Sequence, residues 1–326
     1  MKYSAIILCL IVATINRGSA QTMVPLRAND ITLSTALITS AKELPAGVRF
    51  VSTSLVEPSK GNPKDVRKTL SIVYHRATNS TYEVVVNTSA KTIESIKKID
   101  GVQPMVMLDE YTMLDSIVRA YPAWQNAMRK RSINNLDDVI VDSWSAGAVR
   151  ILGNESARLL RGVSYLRGKQ VNFYGRPIEG VSVIVNMNTK RVVEFSDDGI
   201  VTMPPPSMEL DRASNPLQRP VLNPQKKPLS KPDFTVSDAQ EVSWQNWRFR
   251  FSMHPREGLV LHSVSYNDKG RQRPILHRMA LSEMVVPYGD TSKNRIWRNA
   301  FDVVVYGKGM LTYPMDTTDD VPHGAR

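Results

Sequence analysis

From Glu241 to Tyr306 strand-like runs dominate, and this stretch restricts the fold more than any other. Trp247, Phe249 and Phe251 alternate with Arg248 and Arg250, the period of two that gives a strand one buried face. Leu259–Tyr266 is a second run. The residues Asn267-Asp268-Lys269-Gly270 then predict a turn, with Gly270 taking the positive φ of a type I turn plus bulge. Pro274–Leu281 returns antiparallel. Setting Tyr266 opposite Arg271 places His262 opposite Ile275 and His277 opposite Val260, with the two histidines diagonal on one sheet surface. Met284–Tyr288 and Phe301–Tyr306 are expected as further strands, so residues 234–326 read as the opening of a large antiparallel β-sandwich.

Two smaller α+β units precede it. In residues 24–107, Asn29 or Asp30 is expected to cap a helix running to about Leu44, with Ile31, Leu33, Leu37 and Ile38 as its apolar face. Strands are expected at Val48–Leu55, Thr69–Ala77, Tyr82–Asn87 and Lys91–Ile96, with a tight turn at Asn79-Ser80. A helix laid on a meander of strands is a stable two-layer arrangement. Residues 108–206 repeat the layout. Asp109 is expected to cap a helix that Pro122 breaks, and a second helix follows over Ala123–Arg131. Val139–Asp142, Val149–Leu152, Arg158–Tyr165, Val181–Asn186 and Arg191–Ser196 are expected as strands, with SWSAG as a loop. Residues 207–233 are rich in Pro, Asn, Ser and Lys without periodicity, and read as an extended linker.

Met1–Ala20 has the form of a secretory signal: Lys2, the apolar run Ala5–Ile15, then Gly18-Ser19-Ala20. That run is too short to span a bilayer. The chain is therefore expected outside the cell, with no membrane span. Cys9, the single cysteine, lies inside the signal, so the mature chain has no disulfide, no thiol nucleophile and no cysteine-based metal site. Without residues 1–20, 40 basic side chains face 31 acidic ones, a net charge of +9 that favours anionic surroundings. Asn79, Asn87 and Asn154 each begin an Asn-x-Ser/Thr triplet, the acceptor for an N-linked glycan in a secreted chain. No phosphate loop, dinucleotide fingerprint or nucleic-acid module is present.

The words SWQNWRFRF, PREGLVLHSVSYNDKGRQRPILHR, SEMVVPYGD and NAFD followed by YG resemble the start of the catalytic domain of copper-containing amine oxidases. VDSWSAG, YGRPIEGVSVIVN and the triple proline at 204–206 resemble the same family, and residues 24–107 do so weakly. The resemblance implies two small α+β domains before a catalytic sandwich. It also implies oxidation of a primary amine to an aldehyde with release of ammonia and hydrogen peroxide. The cofactors it implies are copper and a topaquinone made from a tyrosine of the chain.

By the same resemblance Asp302, in NAFD, is the general base that removes a proton from the carbon beside the substrate nitrogen. That role calls for a carboxylate of raised pKa in a water-poor pocket. Ala300 matches the family's substrate-gate position, where a small residue suits a wide channel. Val304-Val305-Tyr306-Gly307 stands where the family has Gly-Glu-Tyr-Gly. The Asn-Tyr pair of the topaquinone motif and the His-x-His copper ligands are absent from these residues, and after Gly309 the resemblance is expected to cease. The expectation is a polypeptide without turnover on its own. The alternative is a non-catalytic secreted interaction protein, or a homodimer or decoy-dimer partner of a full-length relative. The histidines are not expected to assemble a metal site, because no third ligand comes within reach of His262 and His277.

Overall fold

The computed structural model describes residues 24–60, 65–147, 149–206 and 233–281, together with 284, 286, 289–291, 296–297 and 305–312. Residues 1–20, expected as a signal, and all but the last residue of the expected linker 207–233 lie outside them. Among the described residues the strands form three antiparallel meanders, each with strands in sequence order. The first sheet is β1 (Arg49–Val56), β2 (Lys68–His75), β3 (Ser80–Asn87) and β4 (Thr92–Ile99). The second is β5 (Val139–Ser145), β6 (Leu159–Leu166), β7 (Val181–Asn186) and β8 (Arg191–Asp197). The third is β9 (Phe234–Val236), β10 (Glu241–Trp244), β11 (Trp247–His254), β12 (Gly258–Asp268) and β13 (Arg271–Ala280). The α+β class expected from sequence is therefore the observed one.

Helix α1 (Ala28–Thr39) covers the first sheet, where Ile38 and Leu44 pack on Val73, Val84 and Val86. It starts earlier than expected. Asp30 is the third helical residue, not the cap, and its carboxylate takes the Arg27 N–H at 2.9 Å. Helix α2 (Leu108–Arg119) repeats the device: Glu110 accepts from the Met107 N–H at 2.8 Å, so Asp109 lies inside the first turn rather than capping it. An acid at the third position closes the free N–H groups from within the helix, and sequence reading alone places such an acid two or three residues too early. Ile31, expected in the apolar face, is 43 % exposed, because Ser34 and Asp30 take the inward positions.

Pro122 opens α3 (Pro122–Lys130) at its first position, where a missing N–H costs nothing. Trp124, Met128, Leu114 and Val118 pack on Val139, Val141, Val183 and Val185 to form the largest core. The Trp124 indole N–H finds Ser164 Oγ at 3.0 Å. All six residues of β7 are buried, so both faces of the second sheet are covered there. Two expectations fail in this domain. SWSAG is not a loop from its first residue, since β5 runs through Ser145 and buries Trp144. Residues 149–152 form no strand, and Leu152 is 94 % exposed.

In the third sheet the hairpin turn is tighter than expected. Lys269 and Gly270 both have positive φ, 51° and 89°, and Asp268 pairs with Arg271 across a two-residue loop. A further residue is absorbed at Pro274, which has no N–H for the ladder. Tyr266 consequently faces Arg273, and His262 faces Arg278 rather than Ile275, while Val260 faces Ala280 rather than His277. His262 is not on the sheet surface either: it is 4 % exposed. Val305 and Tyr306, expected in a strand, form a helical turn, and the rest of Phe301–Tyr306 lies outside the described residues. Met284 and Val286 are described and are not in a strand.

Candidate functional site at the junction of the three sheets

The three units meet where residues 102–107, the His254–Glu257 turn, the end of β5 and residues 305–310 come together. Val106 N–H donates to Val305 O at 3.3 Å. Lys308 N–H and Gly309 N–H donate to Arg256 O and Pro255 O, each at 2.9 Å. Gly307 has φ +90°, and a Cβ there would stand 2.5 Å from Pro255 O, so only glycine brings this backbone so close. A cavity of about 800 Å³ opens between the units. Its walls include Val51 and Ile72 of the first sheet, Trp144 and Arg158 of the second, and His254 and Trp297 beyond.

Two aromatic residues bracket the stretch that contains Ala300 and Asp302. Trp297 packs edge-on to Trp144, ring centroids 5.8 Å apart, and its face meets the Arg161 guanidinium at 4.7 Å. Tyr306 is 8 % exposed, stacks on Tyr111 at 4.9 Å, and donates its hydroxyl hydrogen to Ser143 O. Burial pushes the Tyr306 phenol far up, and the hydrogen bond with Tyr111 adds to it, so the hydroxyl stays a donor at any physiological pH. Both anchors rest on β5 of the second domain. Ala300 and Asp302 themselves lie outside the described residues.

Sequence reading did not single out Trp297, Tyr306, Ser143 or Arg161, because their contacts join residues more than a hundred positions apart. The one available signal was the pair of tryptophans in SWSAG and RIWRN, each beside a word shared with the family. The predicted glycan acceptors are all described. Asn79 is tied on both sides, its Oδ1 accepting from Tyr74 at 2.6 Å and its amide donating to Ser156 O. Asn87 only accepts, from the Ala90 N–H at 2.9 Å. Asn154 accepts from Asn186 at 2.7 Å.

The described residues do not fit a copper centre. His75, His254, His262 and His277 stand on separate strands, and no three His, Cys, Asp or Glu side chains among the described residues converge as a metal site. Among the described residues no helix is long and apolar enough to cross a membrane.

A family model described as copper amine oxidase, N3 domain, matches residues 109–214, and one described as copper amine oxidase, enzyme domain, matches residues 235–326. The second match runs past Gly309, so the resemblance continues where the sequence words alone suggested it stopped. The chain is 34 % identical over 307 residues to a primary amine oxidase of Arthrobacter sp. (strain P1), covering 90 % of this chain and 46 % of that protein. It is 32 % identical over 338 residues to the peroxisomal N-methylputrescine oxidase 1 of Nicotiana tabacum, covering 87 % of this chain and 42 % of that protein. A solved copper-containing benzylamine oxidase from Hansenula polymorpha superposes with a TM-score of 0.71 at 23 % identity over 89 % of this chain and 48 % of that one. The chain thus spans under half the length of each of these relatives.

Proposed function

The chain belongs to the copper amine oxidase family, and we propose that its residues serve the oxidation of a primary amine to an aldehyde, with ammonia and hydrogen peroxide released. The double anchorage of residues 297 and 306 on β5 supports this reading most directly, because it fixes both ends of the stretch bearing the aspartate. Positioning a base to within a fraction of an ångström is where much of such catalysis lies. In this reading Asp302 is the general base that removes the proton from the carbon bearing nitrogen, and Ala300 leaves the approach to it wide. Trp144 and Trp297 form an apolar wall that excludes water and so favours a raised carboxylate pKa.

Copper and topaquinone supply the redox chemistry of the family when bound. The described residues offer no place for them. The 326 residues purified alone are accordingly expected to release no peroxide. The function is tested on the native protein that carries these residues, with a panel of mono- and diamines. Turnover is expected, falling by about 10²–10⁴-fold in Asp302→Asn, as loss of a general base does. A native protein inert towards every primary amine overturns the proposal.

We further propose that the chain is secreted and glycosylated. Met1–Ala20 supports export. Asn87 is the best acceptor, since its amide hydrogens are uncommitted, whereas a glycan on Asn79 would break the contact with Ser156. Mass spectrometry of the secreted protein with and without glycosidase tests both points.

A further inference from the structure

The first domain is joined to the second at one end of its sheet. Arg49 of β1 pairs with Tyr74 of β2 at that end, and there Arg49 and Arg76 reach Asp109 at 2.9 and 3.2 Å. Asn188 donates to the Tyr74 hydroxyl and to Arg76 O, both at 3.0 Å, and the Asn79 amide donates to Ser156 O. Val51, Tyr74 and Met107 share one small core. The covalent connection leaves by the same end, because Ile99, the last residue of β4, pairs with Thr81.

At the opposite end β1 finishes with Val56 beside Lys68, and the next residue, Glu57, reaches the third sheet. Arg278 of β13 donates its Nε hydrogen to Glu57 Oε2 at 2.6 Å, while its Nη2 lies 2.8 Å from Glu257 Oε2. Among the described residues no other ion pair joins residues 24–100 to residues 233–281. The two ends differ in burial. Tyr74 is 0 % exposed, whereas the Glu57, Glu257 and Arg278 side chains are 23 %, 19 % and 30 % exposed. Water and salt reach such a pair and weaken it.

The cavity of about 800 Å³ lies between the two ends. Ser52, Ser54 and Ile72 line it on the first sheet, and His254, Arg256 and Glu257 line it on the third. Arg49 and Glu57 stand about 26 Å apart along the extended chain, at about 3.3 Å per residue.

We propose that the first domain is a hinged cover over this cavity, pivoting where it meets the second domain and fastened at its far edge by Glu57 on Arg278. With the fastening made, the guanidinium fork ties the cover to β13 and to the Glu257 turn. With it broken, the contacts at the pivot persist. A rotation of about 15° there moves the Glu57 end by about 7 Å, enough to admit small solutes to the wall formed by Trp144 and Trp297. Such opening is independent of what enters, and so of whether the chain oxidises amines.

Spin labels on paired cysteines in the full chain measure both ends, in a Cys9→Ser background that has no other cysteine. Ser59→Cys with Met279→Cys spans the fastening, Ala77→Cys with Thr189→Cys spans the pivot, and all four positions are exposed. Glu57→Gln removes the charge that reaches Arg278. It is expected to lengthen the fastening distance by about 7 Å in part of the population and to leave the pivot distance unchanged. Salt at about 1 M is expected to act the same way on the unaltered pair, because the screening length is then only about 3 Å. Unchanged fastening distances in Glu57→Gln, or in salt if that variant does not fold, overturn the proposal, as does a pivot distance that lengthens equally.

Discussion

Glu110 and Arg158 form a two-pronged ion pair in which 0 % and 2 % of the side chains are exposed. The Glu110 carboxylate also closes the start of α2 at Met107, and Arg158 reaches back to Pro104 O and Met105 O, both at 3.0 Å. Its guanidinium lies 5.2 Å from the Tyr74 ring of the first sheet. One pair thus binds a helix start, the segment between the small domains and the neighbouring sheet. Removing one member leaves the other charged and buried, which costs about 3–5 kcal/mol. Glu110→Gln is expected to lower the denaturation midpoint accordingly, and Arg158→Lys is expected not to spare it, because an ammonium lacks the planar fork. Urea melts of the three proteins check this, and a loss below 1 kcal/mol in Glu110→Gln would contradict it.

Gly162 lies under the helices rather than in a turn. A Cβ there would meet Val141 Cγ1 at 2.9 Å and Leu114 Cδ2 at 3.2 Å. Gly162→Ala is expected to destabilise by about 1–3 kcal/mol through overpacking. The partner change Val141→Ala in the same chain should recover part of that loss, which a double-mutant cycle measures.

Acid should loosen the third sheet first. Burial pushes His262 below its ordinary pKa of 6.5, with Arg278, His277 and Arg250 acting in the same direction and Glu57 opposing them. Ser252 Oγ meets its Nε2 at 2.8 Å, and its Nδ1 has no partner. His254 is pushed the same way by burial. The unfolded chain therefore takes up protons at a higher pH than the folded one. The stability from neutral His262 is complete above about 6.5 and is lost as pH falls towards the folded pKa. Amide exchange in residues 247–280 is expected to quicken between pH 7 and 5, ahead of residues 68–87, and His262→Gln is expected to flatten that dependence.

The third sheet also has an uncovered apolar row. Met253 pairs with Leu259, and Leu261 with Met279, on one face where Met253, Leu259 and Met279 are 54 %, 55 % and 48 % exposed. Few buried contacts mean low local stability. Limited proteolysis of the polypeptide is expected to cut within residues 233–312 while 24–206 survives. Equal resistance of the two regions would disprove it.

The layout of the chain was legible wherever one local pattern sufficed. The alternation of Trp247, Phe249 and Phe251 gave a strand, Pro122 marked the break between two helices, and the two small α+β units followed from helix and strand periods in succession. The words around NAFD and VDSWSAG carried the family. The register of the last hairpin was not legible, because a one-residue change at Lys269-Gly270 or Pro274 leaves the alternation intact while moving every cross-strand partner. Nor were the helix caps, since an acid at the first or third position looks the same in sequence.

Sequence alone determined the period of each element, and with it the α+β class, because side-chain direction is set by backbone geometry two to four residues at a time. Only the tertiary structure decided that Tyr306 would seek Ser143, that Trp297 would lie against Trp144 and Arg161, and that Arg161 would be buried. Those contacts depend on how the sheets dock. Docking is fixed by the sum of many small packing terms, which no single stretch of residues contains.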